Sequence, residues 1–209
     1  EIEIFDDKDC PDCAVTMCLT GAISHSSGSN SRFQALCEDS RVPGRIPDCR
    51  GLGCNSTWSN FTHSPKYDLL PGLIDALDTN DDGYVNNRDQ ACEVNLVGFS
   101  WGGVNAIELA RELGRSSRVS GSRARVDRLI VMDAFQPFQK NAMKVPANVS
   151  MARSYRHSVP PDENCSKWAP MGPFRGFPLL CPSWQSCKDY DFSLDSQRWY
   201  RSPYGKYRG

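Results

Sequence analysis

The stretch VNLVGFSWGGVNAIELARELG, residues 94–114, decides how the rest of the chain is read. Val94–Gly98 is apolar apart from Asn95, as expected of a short strand buried on both faces. From Val104 the period changes: Ala106, Leu109, Ala110 and Leu113 fall on one helical face, and Gly114 supplies a stop. Between the two lies Gly98-Phe99-Ser100-Trp101-Gly102, a G-x-S-x-G pattern. Alone, that pattern is weak. With a strand before it and a helix after it, it meets the requirements of a nucleophile elbow, where larger residues in place of the glycines would strike the neighbouring strand and helix. Such a turn lifts the Ser100 hydroxyl clear of the strand's carboxyl end. It also sets the Trp101 N–H at a helix N-terminus, ready to face developing negative charge. The plainer alternative is a glycine-lined packing turn with an incidental serine.

Outward from this stretch, further strands are expected at CAVTMCLTG (13–21), VDRLIVMDAF (126–135), NVSMARSYRH (148–157) and SCKDYDFSL (186–194), with CEVNLVG (92–98) the strand before Ser100. Helices are expected at SRFQALCED (31–39), YDLLPGLIDAL (67–77) and VNAIELARELG (104–114). This alternation predicts an α/β fold: a mostly parallel central sheet with helices on both faces. Residues 40–65 are rich in Gly, Pro, Cys and Asn, so a loop pinned by disulfides is expected there. The chain reads as a single domain over 1–209, or as the front part of a longer one. No repeat is visible.

Net charge is −1, so no long-range field points to nucleic acid or an acidic membrane. The basic run RSSRVSGSRARVDR (115–128) has no interleaved aromatics and is expected to be a solvated loop. No apolar run approaches the ~20 residues of a transmembrane helix. Ten cysteines are scattered along the chain, as in a disulfide-bonded protein of an oxidising compartment. Cys10-Pro-Asp-Cys13 has zinc-like spacing but no second pair to complete a site. Four N-x-Ser/Thr sequons, at Asn55, Asn60, Asn148 and Asn164, add the expectation of a secreted glycoprotein.

A second pattern runs through LDTNDDGYVNNRDQ. Counting from Asp78, oxygen-bearing side chains fall at loop positions one, three and five (Asp78, Asn80, Asp82), with Gly83 at six and the Tyr84 carbonyl at seven. Val85 is the apolar residue at eight, Asn86 stands at nine and Asp89 closes the loop at twelve. This spacing wraps oxygens around a calcium-sized ion. It resembles the EF-hand type of loop, and Asp at twelve is closer to the dockerin-like variant. A single such loop, 78–89, suggests a structural Ca2+ rather than a sensor. An Asn/Asp/Gly-rich turn without an ion is the alternative.

Residues 94–114, with the strand VDRLIVMDAF after them, resemble the α/β-hydrolase family, and more narrowly its lipase- and thioesterase-like members. The resemblance covers 13–157 and is specific at 94–135. It implies an α/β-hydrolase-like fold with Ser100 as nucleophile, an acid after a later strand and a histidine after the last one. It also implies a second oxyanion N–H from the loop after an early strand. Here that loop begins Gly21-Ala22-Ile23, placing Ala22 beside Trp101; the family's usual His-Gly is Thr20-Gly21. Asp133, ending RLIVMD, is preferred as the acid over Asp162 in SVPPDEN. Of His25, His63 and His157, only His157 keeps the order Ser, Asp, His, one strand earlier than the family's base. Either His157 is the base, or the base lies beyond Gly209, or the chain is not an enzyme. The expected activity is that of a secreted serine hydrolase cleaving a small-molecule or lipid ester. The alternative is a non-catalytic extracellular glycoprotein that reuses the fold in a structural or binding role, with other extracellular proteins as partners.

Overall fold

A computed structural model describes residues 13–19, 33, 37, 64–134, 143–156, 178–182 and 186–191. In chain order the elements are β1 (Ala14–Leu19), a π-helical turn (Pro65–Leu69), α1 (Leu70–Leu77), β2 (Glu93–Phe99), α2 (Trp101–Arg115) and a 3₁₀ turn (Gly121–Ala124). They continue as β3 (Val126–Met132), β4 (Met143–Lys144), β5 (Val149–Arg156), β6 (Leu179–Leu180) and β7 (Ser186–Asp191). β1, β2, β3, β5 and β7 form one five-stranded sheet in that order, and every neighbouring pair is parallel. β4 and β6 pair separately.

This order carries the chain across the sheet in one direction. Crossovers between parallel strands are right-handed, so successive connections lie on the same face. The π-helical turn, α1 and α2 accordingly share a single core with one face of the sheet. Met17 and Leu19 of β1, Leu96 of β2 and Leu129 of β3 meet Leu73, Ile74, Ile107, Leu109 and Leu113 there, all fully buried. Each such side chain contributes about 1.5–3 kcal/mol relative to exposure. The other face carries Cys18, Val97 and Ile130, which pack with Phe33 and Cys37. Those two residues have helical backbone, as expected of 31–39, and Cys37 is disulfide-bonded to Cys18. Burial on both faces explains why the central strands are nearly continuous in apolar residues.

Cys13 pairs with Cys92, joining the starts of β1 and β2, where the Glu93 N–H also donates to the Cys13 carbonyl (2.9 Å). The bridge spans a sequence separation of 79, a loop whose closure removes about 4–5 kcal/mol of unfolded-state entropy in the chain-entropy picture. It also ends the zinc-like reading of Cys10 and Cys13. Cys181 pairs with Cys187.

Two expectations are corrected. First, α2 begins at Trp101 rather than Val104, because the turn at Ser100 starts the helix at once. Second, the run 115–128 is not merely solvated: Val119 and Ala124 are buried, and a 3₁₀ turn occupies Gly121–Ala124. Asn148 is an internal clamp. Its Nδ2 donates to the carbonyls of Ala110 (2.8 Å) and Ala124 (2.6 Å), tying α2, the 3₁₀ turn and the start of β5 together. Gly114 makes room for the clamp, since a Cβ there would lie 2.9 Å from Asn148 Cγ.

Candidate active site

β2 runs to Phe99, and Ser100 then turns the chain with φ 56° and ψ −123°. A non-glycine residue rarely adopts that conformation; it costs on the order of 1–3 kcal/mol and persists only where the surroundings enforce it. They do so by close approach. A Cβ on Gly98 would come within 2.6 Å of both the Gly102 carbonyl carbon and Gly103 Cα. The strand end and the first helical turn therefore touch backbone to backbone. The Ser100 N–H donates to the Met132 carbonyl (2.8 Å), and the Gly103 N–H donates to the Ser100 carbonyl (3.0 Å). Ser100 is the N-cap of α2, yet its side chain makes no capping hydrogen bond. The residue is half-buried.

One strand over, β3 ends at Met132, and Asp133 follows with φ 44°. Phe99 pairs with Met132, and Met132 pairs with Tyr155 of β5. Ser100 and Asp133 are thus the next residues past the same rung of adjacent strands, about 4.8 Å apart across a sheet. The Asp133 N–H donates to the Tyr155 carbonyl (2.7 Å), fixing the turn against β5. Carboxyl ends of parallel strands are where α/β sheets bind ligands. Farther along this edge Tyr155 stacks on Tyr190, with centroids 5.1 Å apart. Burial, with Tyr190 adding to it, raises the Tyr155 phenol above its ordinary 10.0, so it stays protonated at neutral pH. Arg156 is paired with Asp189 (2.8 Å).

The structure thus brings together Ser100, Trp101 as the first residue of α2, and Asp133. His157 follows β5 directly in the sequence and lies outside the described residues. Ala22, Asp162, His25, His63, Asn55, Asn60 and Asn164 lie outside them too.

The acidic loop stands at the opposite end of β2. Asp78 caps α1 and Asp89 closes the loop; both are buried. Asp78 Oδ2 accepts from the Gly83 N–H (2.6 Å) and Oδ1 from the Asp82 N–H (3.2 Å). Asp89 Oδ1 accepts from the Thr79 N–H (2.8 Å) and Oδ2 from the Asn86 N–H (2.7 Å). The Asn86 N–H above all lowers the Asp89 carboxyl below its ordinary value; burial opposes this, and the Thr79 and Asn80 N–H groups and the Thr79 hydroxyl reinforce it. Gly83, at φ 83°, makes the sharp turn at position six, with Asp81 at φ 57° before it. Asn80 and Asp82 side chains accept further loop amides (2.9 Å each), and Asn86 Nδ2 reaches the Tyr84 carbonyl (3.5 Å).

Sequence reading missed what holds this loop in place. Val85, at position eight, bridges to Val119: its N–H donates to the Arg118 carbonyl (2.8 Å), and its carbonyl accepts from Ser120 (2.9 Å). Arg118 Nε donates to the Gly83 carbonyl (2.8 Å) and Arg123 Nη2 to the Asp89 carbonyl (2.9 Å). The basic run is therefore a cradle for the acidic loop. Among the described residues no three His, Cys, Asp or Glu side chains are gathered closely enough to hold a metal ion. A cation here would depend on neutral oxygens from Asn80, Asn86 and Tyr84 as well as the acids. The donors are all oxygens, the type a hard cation takes, while Asp89 Oδ1 already accepts from the Thr79 N–H (2.8 Å), the Thr79 hydroxyl (3.3 Å) and the Asn80 N–H (3.3 Å).

No protein-family model, curated protein or solved structure matches this chain.

Proposed function

We propose that the chain is a serine hydrolase of α/β-hydrolase type that cleaves an ester, with Ser100 as nucleophile. The observation that carries this reading is the strained Ser100 turn, whose hydroxyl is not used to cap the helix it precedes. Strain of this kind persists where surrounding structure enforces it and clusters at active sites. Asp133, level with Ser100 on the next strand, orients and stabilises the base once it is protonated. We assign that base to His157, which in the sequence follows the strand beside Asp133's. The imidazole takes the serine proton as the hydroxyl attacks the ester carbonyl, then returns it to the leaving alcohol. The backbone N–H groups of Trp101 and of Ala22, in the loop after β1, receive the oxyanion. β1 ends at Leu19, level with Gly98 of β2, and Ala22 follows three residues later in the sequence.

Turnover of a short-chain p-nitrophenyl ester by the native protein is the test. Ser100→Ala is expected to lower it by at least ~10³-fold. Equal turnover by the two proteins, or none by a folded native protein, rejects the reading. The second outcome leaves the rival, a non-catalytic extracellular glycoprotein.

A calcium ion at Asp78, Asn80, Asp82, Tyr84, Asn86 and Asp89 completes the proposal. It supplies charge neutralisation for the acids and has no part in the chemistry. The cradle of Arg118, Val119 and Arg123 supports a structural role, since the chain itself takes the place of a paired loop. Calcium is expected to raise the melting temperature of the native protein but not that of Asp78→Ala/Asp82→Ala; equal melting temperatures with and without calcium reject the site. The three disulfides among the described residues support secretion, and no described helix is long and apolar enough to cross a membrane.

A further inference from the structure

The nucleophile and acid candidates stand on separate strands, and something must fix the distance between them. Backbone hydrogen bonds secure each turn: Ser100 to Met132 and Asp133 to Tyr155. A third contact closes the arrangement on the helix side. Gly103 lies one turn into α2 and is joined to Ser100 by the 3.0 Å bond from its N–H. Ala134, directly after Asp133, is buried against it: a Cβ at position 103 would lie 2.8 Å from Ala134 Cβ and 3.1 Å from Ala134 Cα. We infer that the Gly103–Ala134 contact is a spacer that sets how far Asp133 stands from Ser100, making both positioning residues for the proposed reaction. This rests on reading Ser100 and Asp133 as nucleophile and acid.

The physical reason is that both sides of the contact are short and tethered. Ser100 cannot retreat, because Gly98 already touches the Gly102 and Gly103 backbone. Asp133 is bonded to β5. A methyl group at 103 must therefore open the gap, and carbon atoms at ordinary contact need roughly 0.7 Å more than the 2.8 Å available. Misplacement of catalytic groups by about 1 Å can cost two orders of magnitude in rate. The third glycine of GFSWGG thus serves the acid's position and is not needed for the serine's turn itself.

The test compares the native protein, Gly103→Ala, Ala134→Gly and the double variant. The readout is the inactivation rate by a fluorophosphonate probe, followed against probe concentration and pH. Gly103→Ala is expected to lower the limiting rate at least tenfold, with the half-saturating probe concentration unchanged. The midpoint of its pH profile should move to lower pH, because the base loses its nearby carboxylate. The double variant restores the rate to within about threefold of native, since removing the Ala134 methyl reopens the space. If Gly103→Ala does not fold, recovery of both the folded state and labelling in the double variant supports the spacer, and failure to recover them overturns it. An unchanged rate in Gly103→Ala, or a double variant no better than Gly103→Ala, overturns it as well. If the native protein itself takes no label, the hydrolase reading fails and the spacer falls with it; a labelled native protein with an indifferent position 103 removes the spacer alone.

Discussion

The two ends of β2 carry the two unusual regions of this molecule, and they hold strained backbone by opposite means. Every non-glycine residue of positive φ among the described residues lies in one of them or on the strand beside it: Asp81 in the acidic loop, Ser100 in the elbow, Asp133 next to the elbow. In the loop, carboxylates compensate. Asp78, Asp82 and Asp89 accept the amides that the turns leave without regular partners. In the elbow no side-chain hydrogen bond caps the helix at Ser100. There the conformation is enforced by the absence of a side chain at Gly98 and by its backbone contact with Gly102 and Gly103. The loop is broken by taking atoms away, the elbow by adding them.

The largest effect should come from adding one methyl group to the elbow. Gly98→Ala puts a Cβ into the Gly102 backbone, which has no flexible end to swing aside. A loss of about 3–5 kcal/mol, or failure to fold, is expected, and chemical denaturation measures it. A loss below ~1 kcal/mol would mean that the strand and helix are not packed this tightly.

Ser100→Gly sharpens the same point from the other side. Glycine adopts φ 56° without penalty. This variant should therefore gain about 1–3 kcal/mol while losing all turnover, and denaturation and ester assays together report both. A variant less stable than native would show that the serine is not strained.

The smallest effect concerns acid. The folded-state pKa of Asp89 is lowered, so the folded chain favours its ionised form. Its contribution to stability is present above the ordinary carboxylate value of 3.8 and is lost as pH falls through the lower folded-state value. Melting temperature should fall in that window, and more steeply in the native protein than in Asp89→Asn. Matching profiles would remove Asp89 from the loop's bracing.

Much of the fold was legible because periodicity is a local signal. β2, β3 and β5 fall within two or three residues of their expected limits, and the alternation of strands with helices pointed to the parallel sheet. The elbow was legible because its glycines, serine and flanking elements are contiguous. The spacing of the acidic loop was equally local. What could not be read was whatever depends on distant partners. Arg118 and Arg123 bond to carbonyls 35 and 34 residues away, so their run had no local mark of being a cradle. Asn148 fits a sequon as a string of three residues, and only the positions of Ala110 and Ala124 show it to be a clamp. β4 and β6, of two residues each, are too short to carry a period.

A serine hydrolase of the proposed type requires a nucleophilic Ser100. Its most direct test is to treat the native protein, supplied with calcium, with a fluorophosphonate and to map the adduct by peptide mass spectrometry. A nucleophilic Ser100 predicts one covalent phosphonyl group, on the peptide bearing Gly98-Phe99-Ser100-Trp101-Gly102, located on Ser100 and absent after heat unfolding. A folded protein that gains no adduct, or gains it on another residue, would contradict it.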